Sequence, residues 1–368
     1  MTMQSPRRDL IRTHHAPRDV FPTRSVGSTE PYLVHLSRKA MAGEFEICLP
    51  MSTAGETTTA ALRALDLIQA LERQLSFFKP DSDISLINRT AAEREVEVEP
   101  RLFGLLQMAM QVWRDSDGAY DLTATPLWEA WGFARRAGAI PSPEQLAEAR
   151  KLVGGQWVEL DDRRSTVRIH RPGVRLNLGS IGKGYAVDRA VESLFNDGVT
   201  DFLVHGGYSS VAARGYAAGR ERGAGSTEPD SLLRAPCSGL PAWKIGVKDP
   251  LREELRIGQI ELHDRALGTS GAQHQSFRHQ GRRYGHILDP RTGRPAEDVL
   301  AASVVAPGAA EADALSTAFY VLGPQAALDY CRKHPPNERS VRRPIAAILF
   351  TPVEGNRWEM HDSGVGLE

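Results

Sequence analysis

The alternation of apolar and polar residues along the chain predicts a mixture of strands and helices. Residues 42–49 alternate between apolar and polar positions, which is typical of a strand with one buried face. Residues 57–75 carry apolar side chains at helical spacing, which predicts an amphipathic helix. Further helices are predicted at 102–113, 183–195 and 313–322, and further strands at 201–207, 243–247, 259–262, 301–306 and 345–350.

Local signals mark where several of these elements begin or turn. Ser82 or Asp83 is placed to cap a short helix that leads to Asn88, and Ser142 precedes a helix that has Pro143 early in its first turn. Residues 157–160 and 166–170 flank a polar turn and indicate a hairpin. Strands and helices alternate without strict βαβ repetition, so the order favours an α+β fold over a doubly wound sheet.

The length of 368 residues predicts about two lobes and more than one ordinary core. Residues 1–36 contain many Arg, His and Pro residues with little periodicity, and we interpret them as a mobile N-terminal arm. Residues 37–368 form the predicted domain. Within it, residues 216–240 hold Gly, Ser or Pro at nine positions, which indicates a loop insertion and not a linker between domains.

Charge and cysteine content narrow the class of protein. The net charge of −1 gives no reason to expect nucleic acid or an anionic membrane surface as a partner. The three cysteines, Cys48, Cys237 and Cys331, form no CxxC pair, which argues against a zinc site and a disulfide framework and fits a reducing compartment. Arg7 and Arg8 are not followed by an apolar stretch, and no run of about 18 apolar residues occurs. We therefore expect no membrane span and a cytoplasmic location.

Asp313 and Thr317 would lie one turn apart on the same face of the predicted helix at 313–322. A carboxylate and a hydroxyl in that arrangement are suited to a hard cation, and magnesium prefers oxygen ligands of this kind. The alternative is that Asp313 caps the start of its own helix while Thr317 only packs against neighbouring residues. Spacing alone leaves both interpretations open.

Two other segments carry residues suited to chemistry. His286 precedes a turn with Asp289 and Pro290, and it is suited to act as a general base. The alternative is that Asp289 simply holds the turn through backbone bonds while His286 is a core residue with satisfied hydrogen bonds. Lys183, between Gly182 and Gly184, is suited to a phosphate or a flavin oxygen, although neither the Walker nor the Rossmann glycine pattern is present. Residues 205–210 form either a second backbone cradle or a plain turn.

Together these segments resemble the ApbE family of FAD:protein FMN transferases, and the resemblance extends from about residue 41 to about residue 350. The segments that carry it are residues 41–45, 80–85 with Asn88, 118–123, 177–188, 269–271, 286–293 and 312–318. Each motif is modest, but seven of them occur in the family's order.

The resemblance implies a T-fold-like α+β structure and an enzyme that cleaves the pyrophosphate of FAD. Such an enzyme transfers FMN to a Ser or Thr hydroxyl of a target flavoprotein through a phosphoester bond and releases AMP, with Mg²⁺ required. The implied metal ligands are Asp313, Thr317 and Ser180, and the implied base is His286. The implied FAD contacts are Met41 and Phe78 against the flavin, with Ala119, Tyr120, Asp121, Asn177, Lys183 and Ile287 along the dinucleotide.

Some positions depart from the family's usual pattern. Asn177 stands where relatives usually have Asp, Tyr208 follows Gly206 and Gly207 where relatives have Asp, and Phe78 replaces a frequent Tyr. Two alternatives to the transferase stay open, and Asn177 and Tyr208 motivate the second of them. One is a FAD pyrophosphatase that releases FMN and AMP to water, and the other is a non-catalytic protein that binds or delivers FAD. The sequence does not determine the acceptor protein or the oligomeric state.

Overall fold

The computed structural model describes residues 32–218, 241–271, 275–333 and 345–368, together with the backbone of residues 11 and 12. Most of the predicted arm at 1–36 and most of the predicted insertion at 216–240 lie outside these residues. The first long strand begins at Leu33, so paired structure extends ahead of the predicted domain boundary at residue 37.

The helices in the described residues have the following bounds: α1 Ala54–Leu75, α2 Asp83–Thr90, α3 Pro100–Asp115, α4 Thr125–Ala130, α5 Pro143–Arg150, α6 Gly182–Asn196, α7 Ala309–Leu322 and α8 Pro324–Lys333. The strands are β1 Ile11–Arg12, β2 Leu33–Ala40, β3 Gly43–Pro50, β4 Val96–Glu97, β5 Val158–Asp161, β6 Thr166–Ile169, β7 Phe202–Gly206, β8 Ser210–Arg214, β9 Trp243–Lys248, β10 Arg256–Leu262, β11 Arg265–Gly271, β12 Ser276–His279, β13 Arg282–Gly285, β14 Leu288–Asp289, β15 Arg294–Pro295, β16 Ala301–Ala306, β17 Ala346–Val353 and β18 Arg357–Asp362.

A nine-stranded sheet organises the fold, with the strand order β1-β2-β3-β7-β8-β11-β16-β17-β18 and antiparallel pairing between neighbours. Because side chains alternate between the two faces of a strand, the sheet presents two apolar faces. One face packs against α1, α6 and α7 in the largest core cluster. The other face packs against the β9–β10 hairpin through Trp243, Ile245, Ile260 and Leu262.

Local capping explains where the shorter helices begin. The side chain of Ser82 accepts a hydrogen bond of 3.0 Å from the backbone N–H of Ser85 at the start of α2, as the sequence predicted. Ser142 and Gln145 form a reciprocal capping box at the start of α5. The helix predicted at 313–322 is different, since α7 begins at Ala309 and Asp313 therefore lies inside it. Among the described residues, no helix has both the length and the apolar character needed to cross a membrane.

Candidate functional site

The site is built where the first turn of α6 meets α7 and β11. A Cβ atom at Gly184 would lie 2.2 Å from the carbonyl oxygen of Ala309, so only glycine permits α6 to approach α7 this closely. A Cβ atom at Gly268 in β11 would lie 2.4 Å from the carbonyl oxygen of Ala312. These two contacts hold the first half of α7 between a strand of the main sheet and the neighbouring helix.

Asp313 is buried at this junction and binds residues of other elements. The backbone N–H of Gly184 donates to its Oδ2 atom at 2.7 Å, and the Ser210 hydroxyl lies 2.7 Å from Oδ1 and 2.8 Å from Oδ2. Asp313 therefore caps α6 and not its own helix. The alternative in which Asp313 caps the start of α7 is wrong, because α7 begins four residues earlier.

Burial raises the pKa of Asp313 to about 7, although the Ser210 hydroxyl, the charge of Lys183 and the Gly184 N–H each oppose this rise. Asp188 adds a like charge that raises this pKa further. A raised pKa means that the surroundings stabilise the negative charge of the carboxylate less well than water does. A cation beside Asp313 would supply the missing compensation.

The side chains around this carboxylate offer oxygen atoms. The Thr317 hydroxyl lies 3.2 Å from the carbonyl oxygen of Asp313, one turn earlier on the same face of α7. The Ser270 hydroxyl of β11 lies 3.2 Å from the Thr317 hydroxyl and 2.9 Å from the Ser316 hydroxyl. An all-oxygen set with one carboxylate fits a hard cation such as Mg²⁺.

Tyr120 connects Ser180 to this neighbourhood. The Ser180 hydroxyl donates to the phenolic oxygen of Tyr120 at 3.3 Å. Burial raises the pKa of Tyr120, the hydrogen bond from Ser180 lowers it, and the charge of Asp313 raises it further. The phenol therefore stays neutral and keeps its proton as a hydrogen-bond donor.

The loop that carries Asn177 is held by two neighbours. The Asn88 side chain donates to the carbonyl oxygen of Leu176 at 2.9 Å and accepts from the N–H of Leu176 at 2.7 Å. The N–H of Asn177 donates to the carbonyl oxygen of Leu122 at 2.9 Å, which joins this loop to the segment that contains Tyr120. The Oδ1 atom of Asn177 accepts from the N–H of Gly179 at 2.9 Å. An amide oxygen thus provides the acceptor that an aspartate would offer at this position.

Asp121 is engaged within its own loop. Its carboxylate accepts from the N–H of Thr123 at 2.7 Å, from the Thr123 hydroxyl at 2.6 Å and from the N–H of Gly155 at 3.0 Å. Burial raises its pKa despite these bonds. Ala119 is also buried, with 1% of its surface exposed. The side chains of both residues therefore shape the loop, and their predicted contact with FAD stays a prediction.

Two hairpin turns place Met41 near Lys183. Met41 and Ala42 both have positive φ angles, 49° and 60°, in the two-residue turn between β2 and β3. Gly207 follows β7 in a second turn, and a Cβ atom at Gly43 would lie 3.3 Å from the Cα atom of Gly207. A Cβ atom at Gly207 would lie 3.7 Å from the Lys183 Nζ atom. The Lys183 amine and the Met41 turn thus flank the same glycine.

Phe78 and Ile287 differ in exposure. Phe78 is 71% exposed and contacts Phe77 edge-on, with ring centroids 5.4 Å apart. A large aromatic ring in this state has a face available for stacking. Ile287 is buried in the main core, with 9% of its surface exposed. Its predicted contact with FAD is therefore limited to a small part of its surface.

His286 is half-buried and oriented by the backbone. Its Nδ1 atom lies 3.0 Å from the carbonyl oxygen of Gln275, and its ring contacts Phe133 edge-on. A carbonyl oxygen only accepts hydrogen bonds, so Nδ1 carries the hydrogen of the neutral ring and Nε2 carries the lone pair. This tautomer suits a general base that acts through Nε2. The preceding residue, Gly285, lines a cleft that is also lined by Tyr320 of α7.

Asp289 holds the turn after His286. Its Oδ1 atom accepts from the backbone N–H of Arg291 at 2.9 Å, and both of its oxygens contact the Arg291 guanidinium, at 2.9 Å and 3.0 Å. The N–H of Gly293 donates to the carbonyl oxygen of Asp289 at 2.7 Å. The structure therefore shows Asp289 in the turn-holding role that the sequence allowed.

The structure thus gathers Tyr120, Asn177, Ser180, Lys183, Asp313 and Thr317 around the start of α6, while His286 belongs to a separate segment. Residue-by-residue reasoning missed three groups here. Ser210 was assigned only to a possible backbone cradle, and Asp188 and Ser270 were not given roles. Asp188 and Ser270 lie inside segments that carry the family resemblance, and that signal could have identified them. Ser210 lies outside those segments.

The ApbE family matches residues 41–340, which is more than half of the chain. The chain belongs to the ApbE family. A FAD:protein FMN transferase of Treponema pallidum (strain Nichols) is 30% identical over 289 residues, which cover 77% of this chain and 76% of that protein. A FAD:protein FMN transferase of Salmonella typhimurium is 28% identical over 286 residues, which cover 74% of this chain and 76% of that protein.

A solved structure agrees with these sequence matches. The crystal structure of the ApbE protein from Thermotoga maritima superimposes with a TM-score of 0.74 at 29% identity and covers 90% of this chain and 97% of that one. The predicted family and the predicted α+β class are therefore confirmed, and this ApbE protein belongs to a family of transferases.

Proposed function

We propose that this ApbE protein transfers FMN from FAD to a Ser or Thr hydroxyl of a target flavoprotein and releases AMP, with Mg²⁺ bound. The observation that carries the proposal is the buried Asp313 carboxylate, whose pKa is raised to about 7 and whose neighbours offer oxygen ligands. A site of this chemistry, in a chain related to FAD:protein FMN transferases, fits a reaction at a pyrophosphate.

Asp313 and Thr317 would hold the Mg²⁺, with Ser180 as the third ligand. When bound, the ion neutralises charge on the pyrophosphate and acts as a Lewis acid. Lys183 would contribute a second positive charge, and its nearness to Asp313, whose pKa its charge lowers, supports that role. The buried state of Asp313 excludes water that would otherwise weaken these charge interactions.

The remaining contacts are proposed for binding FAD. The exposed ring of Phe78 and the Met41 turn would flank the flavin. The loop of Asn177 and Tyr120 would follow the dinucleotide, and its anchoring by Asn88 supports a binding surface that is formed before FAD arrives. The full set proposed for FAD is Met41, Phe78, Ala119, Tyr120, Asp121, Asn177, Lys183 and Ile287.

His286 would act as the base. An alcohol is a poor nucleophile unless its proton is removed during attack, and the Nε2 lone pair of His286 can accept that proton. The acceptor oxygen then forms a bond to the phosphorus of the FMN half, and the P–O bond of the pyrophosphate breaks. The electron pair of that bond leaves with AMP.

Product analysis tests the proposal. The protein is incubated with FAD, Mg²⁺ and a flavoprotein acceptor, and the nucleotide products are separated by chromatography. We expect AMP in amounts equal to the flavin bound to the acceptor, and little AMP when the acceptor is omitted. Equal AMP and FMN release without the acceptor would instead establish a FAD pyrophosphatase, and intact FAD throughout would establish a binding protein.

Two variants test whether AMP formation depends on Asp313. Asp313→Asn is expected to abolish AMP formation, because it removes the only carboxylate proposed to hold the ion. Asp329→Asn is the matched control, since Asp329 lies on α8 in an exposed ion pair with Arg332. Full activity of Asp313→Asn would remove the metal assignment.

A further inference from the structure

Three adjacent strands bring a second group of potential metal ligands onto one face of the main sheet. In the register of β2 and β3, His35 is paired with Cys48, and in the register of β3 and β7, Glu46 is paired with His205. Glu46 and Cys48 are two residues apart on β3, so their side chains lie on the same face. This face is the one opposite α1, α6 and α7, because Cys48 belongs to the core cluster beneath the β9–β10 hairpin.

The ligand atoms of this group lie close together. The Cys48 Sγ atom is 3.5 Å from the His35 Nδ1 atom and 3.5 Å from the Glu46 Oε1 atom. His35 Nδ1 and Glu46 Oε1 are hydrogen-bonded, and one ligand atom from each of the three residues lies within 4.8 Å of the others. The His205 Nε2 atom approaches the other Glu46 oxygen at 3.8 Å.

These separations suit a tetrahedral ion. Zinc binds sulfur at about 2.3 Å and imidazole nitrogen at about 2.0 Å, and two such ligands in a tetrahedron stand about 3.5 Å apart. The Sγ–Nδ1 separation of 3.5 Å already has this value. The His35 and Glu46 atoms, which are hydrogen-bonded, would separate to admit an ion between them.

The group is buried, which favours a bound ion over a solvated polar patch. Cys48 is 0% exposed, His205 is 1% exposed and His35 is 7% exposed. Of the two ring nitrogens of His205, Nε2 is the one that faces Glu46.

We propose that His35, Glu46 and Cys48, with His205 as the fourth ligand, bind a divalent transition-metal ion of the zinc type. Sulfur and imidazole ligands select such ions, whereas Mg²⁺ prefers oxygen ligands throughout. The ion would join β2, β3 and β7, and the site is separate from the one at Asp313. The absence of a CxxC pair argued against a zinc site. That criterion detects only ligands that are close in sequence, whereas the ligands proposed here come from three different strands.

Cobalt spectroscopy tests the proposal. Full-length protein without a polyhistidine tag is stripped of metal and titrated with Co²⁺. We expect one equivalent to bind with a thiolate-to-cobalt charge-transfer band in the near ultraviolet and intense tetrahedral bands in the visible, and we expect Zn²⁺ to displace it. Absence of a one-equivalent cobalt complex in the wild-type protein overturns the proposal, whatever the behaviour of the variants.

Cysteine variants assign the ligand. Cys48→Ser should lose the charge-transfer band and weaken Zn²⁺ binding by about tenfold or more. The double variant Cys237→Ser/Cys331→Ser, which leaves Cys48 as the sole cysteine, should keep the band. Asp313→Asn should also keep it, which distinguishes this site from the one proposed for Mg²⁺. A band that persists in Cys48→Ser, or disappears in the double variant, contradicts the assignment.

Discussion

Asp188 and Asp313 each cap the helix on which the other one lies. Asp188 of α6 accepts from the N–H groups of Ala309 and Ala310 at 2.7 Å and 2.8 Å, at the first turn of α7. Asp313 of α7 accepts from the N–H of Gly184 at 2.7 Å, at the first turn of α6. Each carboxylate therefore meets the positive end of a helix dipole. The position of Asp313 in the site consequently depends on Asp188.

Asp188→Ala tests whether Asp188 stabilises the start of α7 as a cap. The variant leaves two backbone N–H groups of α7 without their acceptor, and loss of a cap of this kind lowers the free energy of unfolding by about 1–3 kcal/mol. Urea unfolding measures the change. Asp329→Ala is the control, because its exposed ion pair with Arg332 is expected to contribute less than about 1 kcal/mol. Equal effects of the two substitutions would contradict the capping role.

The pH dependence of stability tests the burial of Asp313. In metal-free protein the pKa of Asp313 is about 7, above the value of about 3.9 expected in the unfolded chain. The folded state therefore binds the proton more tightly, so the stabilisation is complete below about pH 4 and is lost as the pH rises toward about 7.

Asp313→Asn removes this titration. We expect the free energy of unfolding of the wild type, measured relative to the variant in the presence of a chelator, to fall across that pH range. Saturating Mg²⁺ should reduce the fall, because a bound cation favours the ionised carboxylate. A difference that does not change with pH would show that the carboxyl group titrates normally.

The Met41 turn offers a test of backbone strain. Ala42 is exposed and has a φ angle of 60°, which a residue with a Cβ atom adopts only at a cost. Ala42→Gly should therefore raise the free energy of unfolding by about 1 kcal/mol. The same substitution at exposed Ala147, inside α5, should lower it by about 1 kcal/mol, because glycine is unfavourable in a helix. Thermal or urea unfolding measures the change in the free energy of unfolding for both variants. A change in the same direction for both would contradict the prediction.

His286→Gln tests the assignment of the base. Glutamine can still donate to the Gln275 carbonyl but cannot accept the proton of the acceptor hydroxyl, so the rate of transfer should fall by about 10²–10⁴-fold. Binding of FAD, measured by fluorescence, should change little. His170→Gln is the control, because His170 is exposed and pairs with Glu159. A transfer rate that is unchanged in His286→Gln would assign the proton transfer to another group.

Local signals in the sequence predicted those elements whose ends are fixed locally. The helix predicted at 57–75 is α1 at Ala54–Leu75, and Ser82 caps α2 as expected. The start of α7 was predicted four residues late for a physical reason. Its N-cap residue, Gly308, has no side chain to cap the helix, and the cap comes from Asp188, which is 121 residues away from Ala309 in the sequence.

In the candidate site, too, contacts between residues that are far apart in the sequence could not be predicted from local patterns. The helical spacing of Asp313 and Thr317 placed both on one face of α7, and the structure agrees. No periodicity could show that the Ser210 hydroxyl, 103 residues earlier, meets the Asp313 carboxylate, because that contact depends on β8 pairing with β11 beneath α7. The approach of Cys48 to His35 likewise depends on strand register.

The intact mass of the acceptor protein tests the central claim most directly. A flavoprotein acceptor is incubated with FAD, Mg²⁺ and either the wild-type protein or Asp313→Asn, and its mass is then measured. We predict that the acceptor gains the mass of one FMN group with the wild type and gains nothing with the variant. If the mass of the acceptor is unchanged after incubation with the wild-type protein, the account is contradicted, whether FAD has been consumed or not.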